Sequence, residues 1–200
     1  MSSFFGHSLA AFTIYALKKP AAATSWYRPL WLSWLVTIAL APDLDHFIPF
    51  LHQSRHQEIR ITHSLIGVLL LPIITIIIML IIGNRGRNLK NCSLQVICTG
   101  LSHIVLDLLV GVVGLHLFWP WNLKLFKLPF GIFPSAGQLS LTNYYLYENL
   151  FIEAGIILPL FYLIYLAFQG KTIFINQKWQ IICLALICSF FMMWGSSLSR

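Results

Sequence analysis

The sequence predicts an all-α protein, a multi-pass membrane bundle of about six apolar helices with a polar site at one end. Of its 200 residues, 58% are hydrophobic and only 10% are charged, whereas an average soluble domain is about 25% charged. Residues 65–82 form a run of 18 residues without a charge, which at about 1.5 Å per residue spans most of a bilayer core of about 30 Å. A soluble domain of this size cannot bury several such runs. Residues 1–200 are therefore predicted to be one integral-membrane domain.

Six apolar segments make up the predicted bundle, and each is expected to be a helix because lipid offers no other partner to backbone N–H and C=O groups. The first lacks the positive charges that precede the apolar core of a signal peptide, so we expect it to be retained. The first two are short for a full crossing, which predicts tilting or a thinner bilayer around them. The six segments are Phe4–Leu17, Trp26–Ala41, Thr62–Ile82, Cys92–Val110, Tyr144–Phe168 and Trp179–Trp194.

Histidines and acidic residues are unevenly distributed between the two ends of these segments. If all six segments cross the membrane, all seven histidines and all six acids fall at the same end. This segregation is the strongest functional signal in the sequence. The thirteen residues are His7, His46, His52, His56, His63, His103, His116, Asp43, Asp45, Glu58, Asp107, Glu148 and Glu153.

The motif SHIVLD places His103 and Asp107 four residues apart, on one face of a helix and one turn from each other. Such a pair is able to share a metal ion or hold adjacent ions. The alternative is a His–Asp pair whose members satisfy each other, but ionisable groups within a membrane are costly and usually functional.

The motif PDLDH supplies Asp43 and Asp45 at the end of the second segment. Two carboxylates in a low-dielectric site repel each other unless a cation or a shared proton relieves them, and a divalent metal would do so. The alternative is that Asp43, which follows Pro42, caps a short helix through Phe50. Capping accounts for one of the two carboxylates but not for both.

The motif RITHSL opens the third segment, where Thr62 is a candidate N-cap. His63 would then lie in the first turn, where the positive end of the helix dipole favours the neutral imidazole that binds metals. His7 stands alone on an apolar helix and is either a core residue or a ligand. His116 is a further candidate, whereas His52 and His56 fall in a polar loop where histidine is common.

Other chemistries find little support. The net charge of +7 comes from basic residues scattered between apolar segments, which is typical of membrane topology rather than of nucleic-acid binding. Ser64 lies beside His63 but in no GxSxG elbow, and the chain has no glycine-rich phosphate loop. Mixed histidine and carboxylate ligands without thiolates favour zinc, with manganese or iron as alternatives.

An N-terminal histidine followed in order by PDLDH, THSL, SHIVLD and G…LFWPW resembles the YdjM-type family of predicted membrane-bound metal-dependent hydrolases. The resemblance extends from His7 to about Glu153. It implies a multi-helix inner-membrane protein with a metal-centred site. A looser similarity, through the His-x-x-x-Asp helix, is to zinc-dependent phospholipase C, an all-α hydrolase of phosphate esters.

Residue by residue, the resemblance implies a set of metal ligands. The family usually carries HRGxTHS, but this chain has EIRITHS, so Glu58 stands where a histidine is expected and His56 is the nearby substitute. A downstream glutamate is also typical, and Glu148 and Glu153 both fit that position. The other implied ligands are His7, Asp43, Asp45, His63, His103 and Asp107.

The leading hypothesis is therefore a metal-dependent hydrolase that acts on a lipid-type phosphoester through a metal-activated water. Asp45 or Glu153 would act as general base. Charge on the phosphoryl group would be stabilised by Arg55, Arg60 or Lys124. The expected partner is membrane lipid and not nucleic acid, with the oligomeric state left open.

Two alternative functions are a transporter or ion pathway and a non-catalytic protein with a structural metal. A pathway would spread ionisable residues through the membrane depth, whereas here they gather at one end. Open coordination positions would distinguish an enzyme from a structural site.

Basic residues predict which side of the membrane the site faces. Eight of the thirteen lie at the end away from the site, in short loops where the positive-inside rule acts most strongly. The site and both termini are therefore expected on the exoplasmic or periplasmic side. The eight are Lys18, Lys19, Arg28, Arg85, Arg87, Lys90, Lys171 and Lys178, and the five at the site end are Arg55, Arg60, Lys124, Lys127 and Arg200.

Overall fold

The computed structural model describes residues 4–17, 26–46, 48, 59–111, 114–133, 142–170 and 175–198. Within these ranges the chain forms six α-helices and no strand beyond one isolated bridge, between Leu115 and Phe126. The predicted all-α class is confirmed. The helices are α1 (Phe4–Leu17), α2 (Tyr27–Leu40), α3 (Leu65–Ile81), α4 (Gly86–Val110), α5 (Tyr144–Gln169) and α6 (Lys178–Ser197). Two 3₁₀ turns, Ala41–His46 and Ile61–His63, lie between α2 and α3 in the sequence.

Most helix boundaries lie within three residues of the predicted ones, but α4 begins six residues earlier than expected. Residues 86–91, predicted as part of a basic loop, are its first turns. Arg, Asn and Lys are polar enough to lower hydropathy at the end of a membrane helix, yet none of them breaks a helix. The α4 C-terminus is where it was predicted, because Gly111 adopts a left-handed conformation with φ of 68°.

The start of α3 differs from the prediction. Its N-cap is Ser64, whose hydroxyl oxygen accepts a hydrogen bond from the Gly67 N–H at 3.1 Å, so the prediction of Thr62 as N-cap was wrong. Thr62 lies in the preceding 3₁₀ turn, and its hydroxyl group donates to Asp45 instead. As a result His63 precedes the helix and is not in its first turn.

The turn after α2 also differs from the capping alternative. Asp43 lies inside the 3₁₀ turn Ala41–His46 and does not precede a new α-helix there. The predicted end of that helix, Phe50, lies outside the described residues.

Within the part of the chain that the structure describes, three helices are long and apolar enough to cross a membrane: α4, α5 and α6. Helices α1 and α3 are shorter apolar helices. The outward face of α3 carries large exposed aliphatic side chains, among them Leu70, Ile73 and Ile77. Such a face is suited to contact with lipid, because apolar side chains lose nothing by leaving water for the hydrocarbon core.

The packing brings five helix ends to one place, the polar end of the bundle. Helix α1 packs against α2, α4 and α5, and α4 also packs against α2 and α3. Consecutive helices run in opposite directions, so the starts of α1, α3 and α5 meet the ends of α2 and α4. Helix α6 packs on α5, at the edge of this arrangement.

Candidate metal centre

Four side chains from three different parts of the chain meet at the polar end. Each offers one ligand atom, and these atoms all lie within 4.8 Å of one another. All four side chains are buried, with His63 and His103 at 0% exposure. The four-residue cluster consists of Asp43, His63, His103 and Asp107, and it could hold a metal ion.

The distances within the four-residue cluster suit coordination better than hydrogen bonding. The Nε2 atom of His63 lies 3.3 Å from Asp43 Oδ1 and 3.4 Å from Asp107 Oδ2. For His103 Nε2 the corresponding distances are 3.8 and 3.5 Å. N–H···O bonds peak near 2.9–3.0 Å, whereas a tetrahedral ion with bonds of roughly 2.0–2.1 Å separates its ligands by about 3.4 Å.

His103 provides the clearest sign that a cation fits here. Its Nδ1 atom lies 2.7 Å from the carbonyl oxygen of Ala39, and a carbonyl only accepts, so Nδ1 carries a proton. Its Nε2 atom is buried without a hydrogen-bond partner among the described residues, yet it faces the Asp43 and Asp107 carboxylates. A proton or a lone pair at Nε2 would have no hydrogen-bond partner there, whereas a metal ion would accept the Nε2 lone pair. A backbone carbonyl on the other ring nitrogen is the usual support for a metal-binding histidine.

His63 is oriented by a chain of hydrogen bonds. Thr62 Oγ1 donates to Asp45 Oδ2 at 3.1 Å and lies 2.9 Å from His63 Nδ1. Because the threonine proton is committed to Asp45, its oxygen accepts from His63 Nδ1–H. Arg60 in turn donates to both Asp45 oxygens, at 3.1 and 3.0 Å from Nη2. This outer shell directs His63 Nε2 at Asp43 and Asp107.

Asp43 is held in the ionised form that a ligand requires. Burial raises the pKa of its carboxyl group, but the contact with His63 Nε2 and the neighbouring His103 and His7 rings lower it by more, so its pKa lies below the ordinary value. A carboxylate at neutral pH follows, with no need to remove a proton before a metal binds.

His7 lies on the other side of His103 and adjoins the four-residue cluster. The two imidazole rings are stacked, with centroids 4.0 Å apart and an interplanar angle of 11°. His7 Nε2 lies 3.7 Å from Asp43 Oδ2 and 3.6 Å from Asp107 Oδ1. His7 therefore lies beside the same two carboxylates as His103.

The remaining candidate residues occupy different places. Asp45 and Arg60 pair with each other beside the four-residue cluster, and Asp45 is not one of its four members. Glu153 is buried in the third turn of α5, whereas Glu148 is half-buried in the first turns. His116 is buried but is also not one of the four. Lys124 is exposed, and His52, Arg55, His56 and Glu58 lie outside the described residues.

Three contributors to the centre were not found from the sequence. Thr62 was interpreted as a helix cap, although its place in THSL was noticed. The Ala39 carbonyl has no sequence signal, because every residue carries one. Gly6 has its own role: a Cβ there would lie 2.3 Å from Glu153 Oε1, so the absence of a side chain leaves room for that carboxylate next to His7.

Comparison with known proteins identifies the family of this chain. No curated protein and no solved structure matches the chain. The model of the family described as YdjM inner membrane protein matches residues 1–195, a range that contains the whole four-residue cluster. The chain therefore belongs to the YdjM family of inner membrane proteins.

Proposed function

We propose that this protein is a membrane-bound hydrolase that uses a divalent metal ion, with zinc as the first candidate, to cleave a lipid-type phosphoester. The observation that carries the proposal is His103, whose buried Nε2 atom faces two carboxylates without a hydrogen-bond partner among the described residues. A divalent ion held by the four-residue cluster would lower the pKa of a bound water and polarise a phosphoryl oxygen.

The choice of metal rests on the donor set. Two imidazole nitrogens and two carboxylate oxygens converge, and the residues of the four-residue cluster include no thiolate. Zinc accepts this mixture in tetrahedral sites at ligand separations close to those observed. Manganese and iron accept the same donors, usually with more ligands.

Two side chains near the four-residue cluster have the chemistry for catalytic roles. Glu153 is buried in α5 beside Gly6, and it supplies a carboxylate to take a proton from water. Arg60 Nη2 lies 4.0 Å from Asp43 Oδ1, so its guanidinium is close enough to the site to offset charge on a phosphoryl group. Asp45 is engaged by Arg60 and Thr62, which favours Glu153 over Asp45 as the general base.

A lipid substrate is supported by the surface next to the site. The segment 114–126 follows α4, and the Leu117 carbonyl accepts a hydrogen bond from the Leu65 N–H at 3.0 Å, two residues after His63. This segment exposes large apolar side chains, with Trp121 at 81% and Leu123 at 59%, beside the exposed Lys124. Aromatic and basic side chains together are typical of headgroup depth.

The proposal is tested with purified protein in mixed micelles that contain phosphatidic acid. We expect the zinc-loaded protein to release phosphate faster than the Asp107→Asn variant, which loses the ligand charge. A soluble phosphate monoester at equal concentration tests for the lipid preference. If wild type and Asp107→Asn turn over either substrate at the same rate, the four-residue cluster is not a hydrolytic centre.

One observation favours an ion pathway as a second candidate function. Every fourth residue of α4 from Asn91 to Asp107 is polar and buried, so the polar surface extends beyond the cluster. The polar residues are Asn91, Gln95, Thr99, His103 and Asp107. Gln95, however, accepts from Trp31 Nε1 at 2.8 Å, as expected of interhelical hydrogen bonds in a membrane. A pathway predicts metal or proton flux into proteoliposomes that the Gln95→Leu variant abolishes.

The site is proposed to face the periplasmic side, on the strength of the eight basic residues at the opposite end. With the four native cysteines replaced by alanine, a cysteine at Asn122 should react with an impermeant reagent in intact cells, and a cysteine at Asn88 should not. The reverse pattern would place the site in the cytoplasm.

A further inference from the structure

The two aspartates of the four-residue cluster each turn different oxygens toward different histidines. Asp43 Oδ1 is the oxygen nearest to His63 and His103, whereas Asp43 Oδ2 is nearest to His7. Asp107 repeats the pattern, with Oδ2 toward His63 and His103 and Oδ1 toward His7. A carboxylate placed in this way has one oxygen for each of two ions.

The spacing of the histidines fits two ions. The His7 and His103 rings are nearly parallel, 4.0 Å apart, and the Nε2 atoms of both lie within 3.8 Å of the same two carboxylates. Ions bound to stacked rings are separated by about the ring spacing. Two-metal hydrolytic sites have separations of about 3.5–4 Å.

A third buried carboxylate lies against the helical turn that contains His7. Glu153 is 3% exposed, and a Cβ built on Gly6 would lie 2.3 Å from its Oε1 atom and 2.9 Å from Ile157 Cδ1. Gly6 directly precedes His7. The space that the Glu153 carboxylate occupies and the histidine therefore lie on the same helical turn. One divalent ion would compensate the charges of Asp43 and Asp107, and an ionised Glu153 would be a third carboxylate that a second ion would compensate.

We propose that the centre is dinuclear. The first ion takes the four-residue cluster, and the second takes His7 Nε2, Asp43 Oδ2 and Asp107 Oδ1, with Glu153 beside it. Both aspartates bridge the two positions. The inference rests on the proposed function, because it requires the first ion. A second ion would allow both the attacking and the leaving oxygen of a phosphoester to contact a metal.

The test is the metal content of the purified protein after loading with Mn2+ and removal of free metal. We expect two ions per chain for wild type and one for His7→Ala. His116→Ala, which removes a buried histidine that is not in the four-residue cluster, should retain two. A separate His103→Ala variant tests the first position.

The outcomes distinguish this inference from the proposed function. One ion in both wild type and His7→Ala would overturn the dinuclear centre and leave the first site standing. If wild type binds one ion and His7→Ala binds none, the protein has a single site that contains His7. That result would also overturn the dinuclear centre. Wild type without metal would overturn the proposed function itself.

Electron paramagnetic resonance of Mn2+-loaded wild type provides a second measurement that needs no variant. Two ions bridged by carboxylates are magnetically coupled, so we expect an exchange-coupled spectrum. The signal of isolated Mn2+ at full loading would contradict the proposal, even if the His7→Ala protein fails to fold.

Discussion

The most apolar 18-residue windows of helices α4 and α6 have the same mean hydropathy, 1.7, and both helices are long enough to cross a membrane. Half of the most apolar window of α4 is buried inside the protein, whereas only 11% of the α6 window is. Helix α4 contacts α1, α2 and α3, but α6 packs on α5 at the edge of the bundle. The hydropathy of the most apolar window therefore does not distinguish the helix that builds the site from the helix that borders it.

Helices α4 and α6 differ in the positions of their polar side chains. In α4 a polar residue recurs every four positions, and all five are buried; they are Asn91, Gln95, Thr99, His103 and Asp107. In α6 the buried residues are Cys188 and Gly195. Polar groups in a membrane are stable where they face other protein, so a polar stripe marks a central helix even when its most apolar window is no less hydrophobic than that of a peripheral helix.

The sharpest way to break the comparison is to remove the two ligands of α4 together. The His103→Ala/Asp107→Ala double variant should lose bound metal entirely, since two of the four cluster residues disappear. A matched double variant on α6, Phe190→Ala/Met193→Ala, truncates side chains that are 61% and 72% exposed and should keep wild-type metal content. Mass spectrometry of the purified proteins measures both. Equal metal in the two variants would contradict the metal centre.

A milder change separates charge from packing in α4. Asp107→Asn keeps the volume and most of the hydrogen bonding but removes the ligand charge, so we expect metal content and activity to fall while helicity by circular dichroism is retained. The corresponding neutral exchange on α6, Ser189→Ala at an exposed position, should change neither. Normal metal content in Asp107→Asn would favour a His–Asp pair that only satisfies itself.

A third change tests how closely α4 must approach α3. A Cβ on Gly100 would lie 2.5 Å from the Val68 carbonyl oxygen and 3.0 Å from Pro72 Cγ, so Gly100→Ala forces the two backbones apart. We expect a loss of about 1–3 kcal/mol in the free energy of unfolding, read as a lower melting temperature in detergent. The larger substitution Ala185→Leu on the exposed face of α6 should be tolerated. Equal destabilisation by both would show that α6 is as tightly packed as α4.

A fourth change concerns the part of the polar stripe away from the metal centre. Gln95→Leu leaves the Trp31 indole N–H and the Ile14 carbonyl without their hydrogen-bond partner, which should cost about 1–3 kcal/mol without changing the metal content. Leu94→Ala, at a neighbouring position that is 50% exposed, serves as the control. Loss of metal in Gln95→Leu would connect the stripe to the site and support an ion pathway.

Much of this fold could be predicted from the sequence. Helices were predicted at all six apolar segments, and residues from separate segments were assigned to one end of the bundle. Both follow from short-range physics: a run of apolar residues in lipid must be helical, and alternate crossings return to the same side. The pairing of His103 with Asp107 also follows from helical periodicity alone.

The sequence by itself determined that carboxylates and histidines would gather at one end, but it assigned both Asp43 and Asp45 to the metal. Only the tertiary structure separated them. In a 3₁₀ turn, with about three residues per turn, side chains two positions apart point in different directions, so Asp43 faces the histidines while Asp45 faces Arg60. The Ala39 carbonyl that orients His103 and the space at Gly6 that admits Glu153 likewise depend on how helices far apart in the chain pack. Local sequence patterns do not predict such long-range packing.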